Sequence, residues 1–172
     1  MQSKNIWQKK IPIVGAVIVV MIVVDQWTKI LARDWLAYKG AKNFLGGLLV
    51  FQYALNRGAF LSLGDQLPEF LRQGIFTFGV AVILGFAIYY LFRYPWERYQ
   101  VLSYALVIGG GLSNLYDRIF RGAVIDFINM GIGSLRTGIF NVADMGITAG
   151  VLVIFFTSLG GKKTLEEATP KL

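Results

Sequence analysis

Apolar positions fall into four blocks, each closed by a polar or glycine-rich stretch. The first, Ile11 to Val24, holds about 14 residues, fewer than the ~20 a helix needs to cross a hydrocarbon core. Trp27, Ile30 and Leu31 extend it, and the whole predicts a span over about 11–33. A basic leader before a short apolar run also fits a secretory signal. However, Asp25-Gln26-Trp27 stands where a cleavage site needs small residues, so the span is expected to be retained. The second block predicts a span over about 70–92. Arg93-Tyr94-Pro95-Trp96 closes it, since proline ends a helix and the aromatics suit an interface. The remaining blocks predict spans over about 100–118 and 140–159.

Between the first two spans, from about residue 38 to 69, the pattern changes. Leu48-Leu49-Val50-Phe51-Gln52-Tyr53 reads as a strand and Asn56-Arg57-Gly58 as a turn. A connection this long and this aromatic is expected to be an ordered cap on the membrane surface. The predicted fold class is therefore an all-α membrane protein. Residues 1–172 form one domain of four transmembrane helices, with a small extramembrane β-containing cap between helices 1 and 2.

Composition sharpens this reading. The 172 residues are 55% apolar and 16% charged, with a positive mean hydropathy and no internal repeat. The net charge of +7 sits largely beside the spans, on Lys4, Lys9, Lys10, Arg93, Arg98, Lys162 and Lys163. That placement fits anionic lipid and topology control and gives no reason to expect a nucleic-acid partner. An even number of spans puts both termini on one side, and the acid-free basic leader predicts that side to be cytoplasmic. The chain contains neither Cys nor His. This excludes thiolate nucleophiles, Ser-His and Cys-His catalysis, and histidine-ligated zinc or haem. Acid–base chemistry is left to Asp, Glu, Lys or Tyr, and neither a metal nor a cofactor is expected.

Candidate chemistry concentrates between Gly109 and Gly150, where Asn114, Asp117, Arg118, Asp126, Asn141 and Asp144 fall. Charge at the border of lipid is expensive and usually functional. Gly110, Asn114 and Arg118 share one helical face, and Asn141, Asp144 and Thr148 share another. Asp126 falls in the connection between two antiparallel neighbours, so Asp126 and Asp144 are expected to meet at the outer membrane boundary. Two close carboxylates in a partly dry place share a proton. One then activates water while the other polarises a carbonyl. Plainer roles stay open residue by residue. Asp117 reads equally as a cap, Asn114 and Asn141 as interhelical hydrogen bonds, and Gly109 to Gly111 as close helix packing. Asp25 with Lys29 reads as a neutralised pair whose ammonium reaches the interface. Gathered on one side of the membrane, they favour a site.

Three other functions compete. A proton-coupled carrier needs acids at the bilayer midplane and broken helices. A metal-dependent head-group transferase needs several acids clustered on one or two helices, and an assembly subunit tolerates loss of Asp126. Of these three, the carrier ranks ahead of the others.

Five blocks occur in order: Asp25-Gln26-x-x-Lys29, Asn56-x-Gly58-Ala59-Phe60, Asn114-x-x-Asp117-Arg118, Val124-Ile125-Asp126-Phe127 and Phe140-Asn141-x-Ala143-Asp144. On them the chain resembles the lipoprotein signal peptidase (signal peptidase II) family over nearly its whole length. The resemblance implies a four-span aspartic endopeptidase of the bacterial inner membrane, with its active site at the outer face. It would remove the signal peptide from diacylglyceryl-modified prolipoproteins, before the lipidated cysteine. Asp126 and Asp144 are implied as the catalytic dyad. Asp25, Lys29, Asn56, Gly58, Gly110, Asn114, Arg118, Asn141 and Ala143 are implied as the supporting and substrate-binding shell. Membrane lipid and globomycin-type cyclic peptides are the other implied partners, and a monomer is expected. An apolar groove between spans would hold the acyl chains, with Gly109 to Gly111 as part of its wall. The chain departs from the family at Arg57, where Thr is common and one alanine is missing, and at Ser113, where Gly is common. Arg57 is expected to meet a lipid phosphate or a substrate carbonyl.

Overall fold

A computed structural model of the chain describes residues 2–58 and 68–167. The Ala59-Phe60 pair and the end of the expected cap lie outside the described residues. The elements run α1 (Gln2–Leu36), β1 (Lys42–Phe44), a 3-10 turn (Leu45–Gly47), β2 (Leu49–Asn56), α2 (Glu69–Arg93), α3 (Arg98–Arg121), β3 (Val124–Ile132), β4 (Leu135–Arg136) and α4 (Val142–Glu167).

Stretches 10–36, 74–93 and 142–159, in α1, α2 and α4, are each long and apolar enough to cross a membrane. Their large apolar side chains point outward. Val19, Val20, Val23, Phe86 and Phe156 are all more than half exposed, the arrangement expected where lipid is the solvent. α3 packs against all three of the other helices. Its inward residues include Ser103, Gly109, Gly110, Gly111, Ser113, Asn114 and Asp117, so the polar groups the sequence places on this segment face protein.

Local chemistry sets the ends of these helices. Pro95 follows the last residues of α2. Glu97 caps α3 in a reciprocal pair with Gln100, and Gly122 ends that helix in the left-handed conformation with φ 72°. The glycines of α3 pack helix on helix. A Cβ at Gly109 would meet Met21 of α1, one at Gly111 would overlap Leu84 of α2, and one at Gly110 would lie 2.5 Å from the Ala143 carbonyl oxygen. Of the two roles open to these glycines, the structure selects close packing. The expected groove wall is not there, because neighbouring helices already fill those faces.

The cap differs from its prediction in one respect that shapes the site. It is a four-stranded antiparallel sheet in the order β1-β2-β3-β4. Half of it comes from the connection between α3 and α4, so the cap does not belong to the first connection alone. β2 pairs with β3 from Leu49↔Met130 to Asn56↔Val124, with a bulge between Phe51 and Ala54. Asp126 therefore lies on a strand opposite Ala54, not in a simple loop. Residues 124–132 carry enough β-branched and aromatic character to pair, and β2 supplies the edge they need.

Two apolar clusters hold the assembly. Val14, Leu91, Val101, Ala105 and Ile108 join α1, α2 and α3. Ala32, Leu36 and Phe127 join the end of α1 to the sheet, with Phe51, Tyr53, Ile128 and Val142 against them. Between the two clusters lies the polar centre.

Candidate active site

Asp126 is brought to the bundle by β3. Phe140 then pairs back on that strand, its N–H donating to the Ile128 carbonyl at 2.9 Å. The next residue, Asn141, enters α4. The Asn141 side-chain oxygen accepts the Asp144 N–H at 2.9 Å, while Asp144 Oδ2 accepts the Asn141 N–H at 3.1 Å. This reciprocal cap fixes Asp144 in the first turn of α4, where the helix dipole favours negative charge.

Asn141 also links the two acids. Its Nδ2 donates to Asp126 Oδ1 at 2.7 Å, and the opposite oxygen, Oδ2, accepts from Asn56 Nδ2 at 3.0 Å. Asn56 is fixed in turn, because its Oδ1 accepts the Gly58 N–H at 3.1 Å. That is the turn predicted at residues 56–58, and it aims the amide inward. Asp144 Oδ1 accepts from Asn114 Nδ2 at 2.8 Å. Every carboxylate oxygen of the pair thus meets an amide donor, and Asn141 touches both acids. Among the described residues, no three of the acid, His or Cys side chains gather as metal donors.

The Asp126 carboxyl is pushed up to about 6, chiefly by burial, with the nearby Asp144 charge acting in the same direction. The hydrogen bonds from Asn56 and Asn141 and the Lys29 charge pull it down. The folded protein therefore holds this proton more tightly than the unfolded chain. The stability gained from it is full below the ordinary 3.8 and is lost as pH rises through about 6. Asp144→Asn removes the like charge, so Asp126 should titrate below about 6 while staying above 3.8, because burial remains. A carboxyl-carbon NMR titration of aspartate-labelled protein reads this. An Asp126 titration unmoved by the substitution would show that the two acids are not coupled.

A charged core lies behind the pair. Lys29 is fully buried, and its Nζ lies 2.6 Å from Asp25 Oδ2, 2.8 Å from Asp117 Oδ2 and 2.9 Å from Asn114 Oδ1. The Asp117 contact is an ion pair outside hydrogen-bonding geometry. The expected reach of Lys29 to the interface is overturned, because α3 supplies acceptors that hold it inside. Asp25 Oδ1 accepts the Ala143 N–H at 2.8 Å, and Oδ2 accepts the Ser113 hydroxyl at 2.7 Å. Ser113, a departure from the family pattern, is thus absorbed into the core.

Most of the predicted site residues come together here: Asp25, Lys29, Asn56, Gly58, Asn114, Asn141, Ala143, Asp126 and Asp144. Gly110 contributes by letting α3 approach the Ala143 carbonyl. Arg118 is half-buried, its Nη1 3.4 Å from the Asn114 carbonyl and its charge within electrostatic reach of Asp144, Asp126 and Asp117. Thr148 is exposed and does not join the shared face predicted for it, and Arg57 is exposed. Asp117, left undecided by the sequence, belongs to the buried core. Gln26, quoted in the first block, and Arg121 were given no role in the site, although both bond Asp117. The Gln26 position beside Asp25 was the available signal.

Three helices long and apolar enough to cross a membrane, with a joined sheet and two amide-held carboxylates where they meet, are the features of a multi-pass membrane protein. Comparison with known proteins makes the class specific. The chain belongs to the signal peptidase (SPase) II family of proteases, whose model matches residues 17–160. The lipoprotein signal peptidase of Francisella tularensis subsp. novicida is 34% identical over 152 residues, 84% of this chain and 90% of the relative. That of Caldicellulosiruptor bescii is 33% identical over 156 residues, 90% and 97% of the two chains. A solved structure described as a bacterial membrane enzyme shares the fold, with a TM-score of 0.79, 24% identity and coverage of 94% of this chain and 95% of its own.

Proposed function

We propose that the protein is an aspartic endopeptidase that removes the signal peptide from diacylglyceryl-modified prolipoproteins, cutting before the lipidated cysteine. The observation that carries this reading is Asn141, whose side chain binds Asp126 while its backbone N–H binds Asp144. One carboxylate takes a proton from water as the oxygen attacks the scissile carbonyl. The other, protonated, donates to the carbonyl oxygen, and the tetrahedral intermediate collapses as a proton reaches the leaving amine. Asn56 and Asn114 hold the acids by donating to the faces Asn141 leaves free.

The proposed topology has four spans, with α3 crossing inside the ring of α1, α2 and α4, and both termini on the cytoplasmic side of the bacterial inner membrane. Lys10 Nζ donates to the Trp96 carbonyl at 2.6 Å, which sets the start of α1 beside the α2–α3 connection. Trp35, Phe44 and Phe51 cluster at the opposite end. The sheet then sits at the outer face, where acyl chains hold a lipidated substrate. The enzyme is proposed to act as a monomer, to bind lipid, and to be blocked by globomycin-type cyclic peptides.

The purified protein in detergent should cleave a diacylglyceryl-modified prolipoprotein, leave its unlipidated form intact, and be indifferent to EDTA. Mass spectrometry of the products reads the cut site. Equal cleavage of both forms would remove the lipid requirement, and loss of activity in EDTA would remove the metal-free mechanism.

A further inference from the structure

Arg121, the last residue of α3, touches neither acid of the pair. Yet two routes of ion pairs and hydrogen bonds run from it to Asp144. On the first, Arg121 pairs with Asp117, Asp117 with Lys29 at 2.8 Å, Lys29 with Asn114 at 2.9 Å, and Asn114 with Asp144 at 2.8 Å. On the second, Arg121 Nη1 donates to Gln26 Oε1 at 2.7 Å and Gln26 Nε2 donates to the Ser113 hydroxyl at 3.0 Å. Ser113 donates to Asp25 at 2.7 Å, and Asp25 accepts the N–H of Ala143, the neighbour of Asp144, at 2.8 Å.

Charge gives these routes a common purpose. Asp25 and Asp117 are fully buried with the single ammonium of Lys29 between them. Two carboxylates and one cation leave an excess negative charge in a dry place, where an uncompensated charge is strongly destabilising. Arg121 supplies the second cation. Its side chain is one-third exposed and its guanidinium lies 5.3 Å from the Tyr116 ring centroid, so its own desolvation is partial and its position is held.

We propose that Arg121 is a positioning residue for catalysis, balancing the charge of Asp117 so that Lys29 keeps the Asn114 amide turned toward Asp144. With Arg121 gone, Lys29 faces two carboxylates alone, and the pocket must draw in water or a proton. Either change weakens the hold on the Asn114 amide, whose oxygen is left to Asn141 Nδ2 at 3.2 Å, and loosens the orientation in which its nitrogen meets Asp144. The proposal rests on the reading of Asp126 and Asp144 as the catalytic pair.

The test is steady-state cleavage of a diacylglyceryl-modified prolipoprotein by the full chain in detergent, with kcat taken per folded enzyme from thermal unfolding run in parallel. Arg121→Gln should lower kcat by roughly tenfold to a hundredfold, the scale of a small misplacement of catalytic groups, with KM held. Arg121→Lys keeps the charge and should recover most of the loss. Asp117→Asn/Arg121→Gln should be at least as active as Asp117→Asn alone, since the charge that Arg121 balances is then gone and only its bond to the neutral Gln26 amide is lost. That comparison stands even where Arg121→Gln alone does not fold. The proposal is overturned if kcat survives Arg121→Gln, if Arg121→Lys loses as much, or if the double variant falls below Asp117→Asn. A wild type that fails to cleave sinks the protease reading and this inference together. A cleaving wild type with an unaffected Arg121→Gln sinks only the inference.

Discussion

Asp126→Asn and Asp144→Asn should each reduce prolipoprotein cleavage by at least roughly a thousandfold while leaving the protein folded. The reaction needs one carboxylate to accept a proton and one carboxyl to donate, and an amide does neither. The environments make these substitutions nearly isosteric but not equivalent. Asp126 accepts from two side-chain amides, Asn56 and Asn141, so an asparagine there sets one nitrogen donor against another. At Asp144, Oδ1 accepts from Asn114 Nδ2 and Oδ2 from the Asn141 N–H, so the same conflict arises once. Both variants should therefore show a modest loss of thermal stability beside a near-total loss of turnover. Because the two acids work as a unit, the double variant should be hardly worse than either single one. Cleavage kinetics on all three, with unfolding temperatures beside them, decide this. Turnover surviving in either single variant would remove that residue from the chemistry.

The elements that place this site were unequally legible in the sequence. Helix existence was plain because apolar runs closed by Pro95, or by glycine and charge, leave few alternatives, and most observed ends lie within a few residues of the predicted ones, although α1 begins at Gln2 and α4 runs on to Glu167. α1 runs further at both ends than the 11–33 expected, since polar residues outside an apolar core still prolong a helix. Strand β2 was legible from its β-prone run. Its partner was not, because β3 hides a buried acid, Asp126, and an asparagine, Asn129, inside an apolar strand, and strand pairing across the whole bundle is a long-range fact.

Within the site, Asp126, Asp144, Asn114 and Asn141 were visible as a spacing, whereas the charged core was not. Lys29 beside Asp25 looked like an interfacial pair because sequence shows only the i, i+4 partner. The second carboxylate, Asp117, comes from another helix. Ser113, read as a departure, turns out to carry one of the core's hydrogen bonds. Tertiary partners, not local pattern, decide whether a membrane lysine points out or in.

Lys29→Met is expected to destabilise the protein by roughly 3–5 kcal/mol, the cost of leaving buried charge unpartnered. The ammonium is fully buried and meets three oxygens, one each from Asp25, Asp117 and Asn114. Methionine fills similar volume, so lost packing contributes little; what changes is that two carboxylates face each other without the cation between them. A salt bridge of this kind need not stabilise relative to an apolar core, yet breaking it by one partner is costly. Arg121 still neutralises part of Asp117, which places the strain on Asp25. Asp25→Asn combined with Lys29→Met should therefore recover part of the lost stability, because Asn keeps an oxygen for the Ala143 N–H without a charge. Turnover should recover less than stability, since the Asn114 oxygen then keeps only the Asn141 donor and its nitrogen is held less firmly on Asp144. Unfolding in detergent and cleavage kinetics on the single and double variants separate the two effects. A Lys29→Met protein as stable as wild type would mean that the buried core does not need its cation, and the account of how α1 supports the site would have to be abandoned.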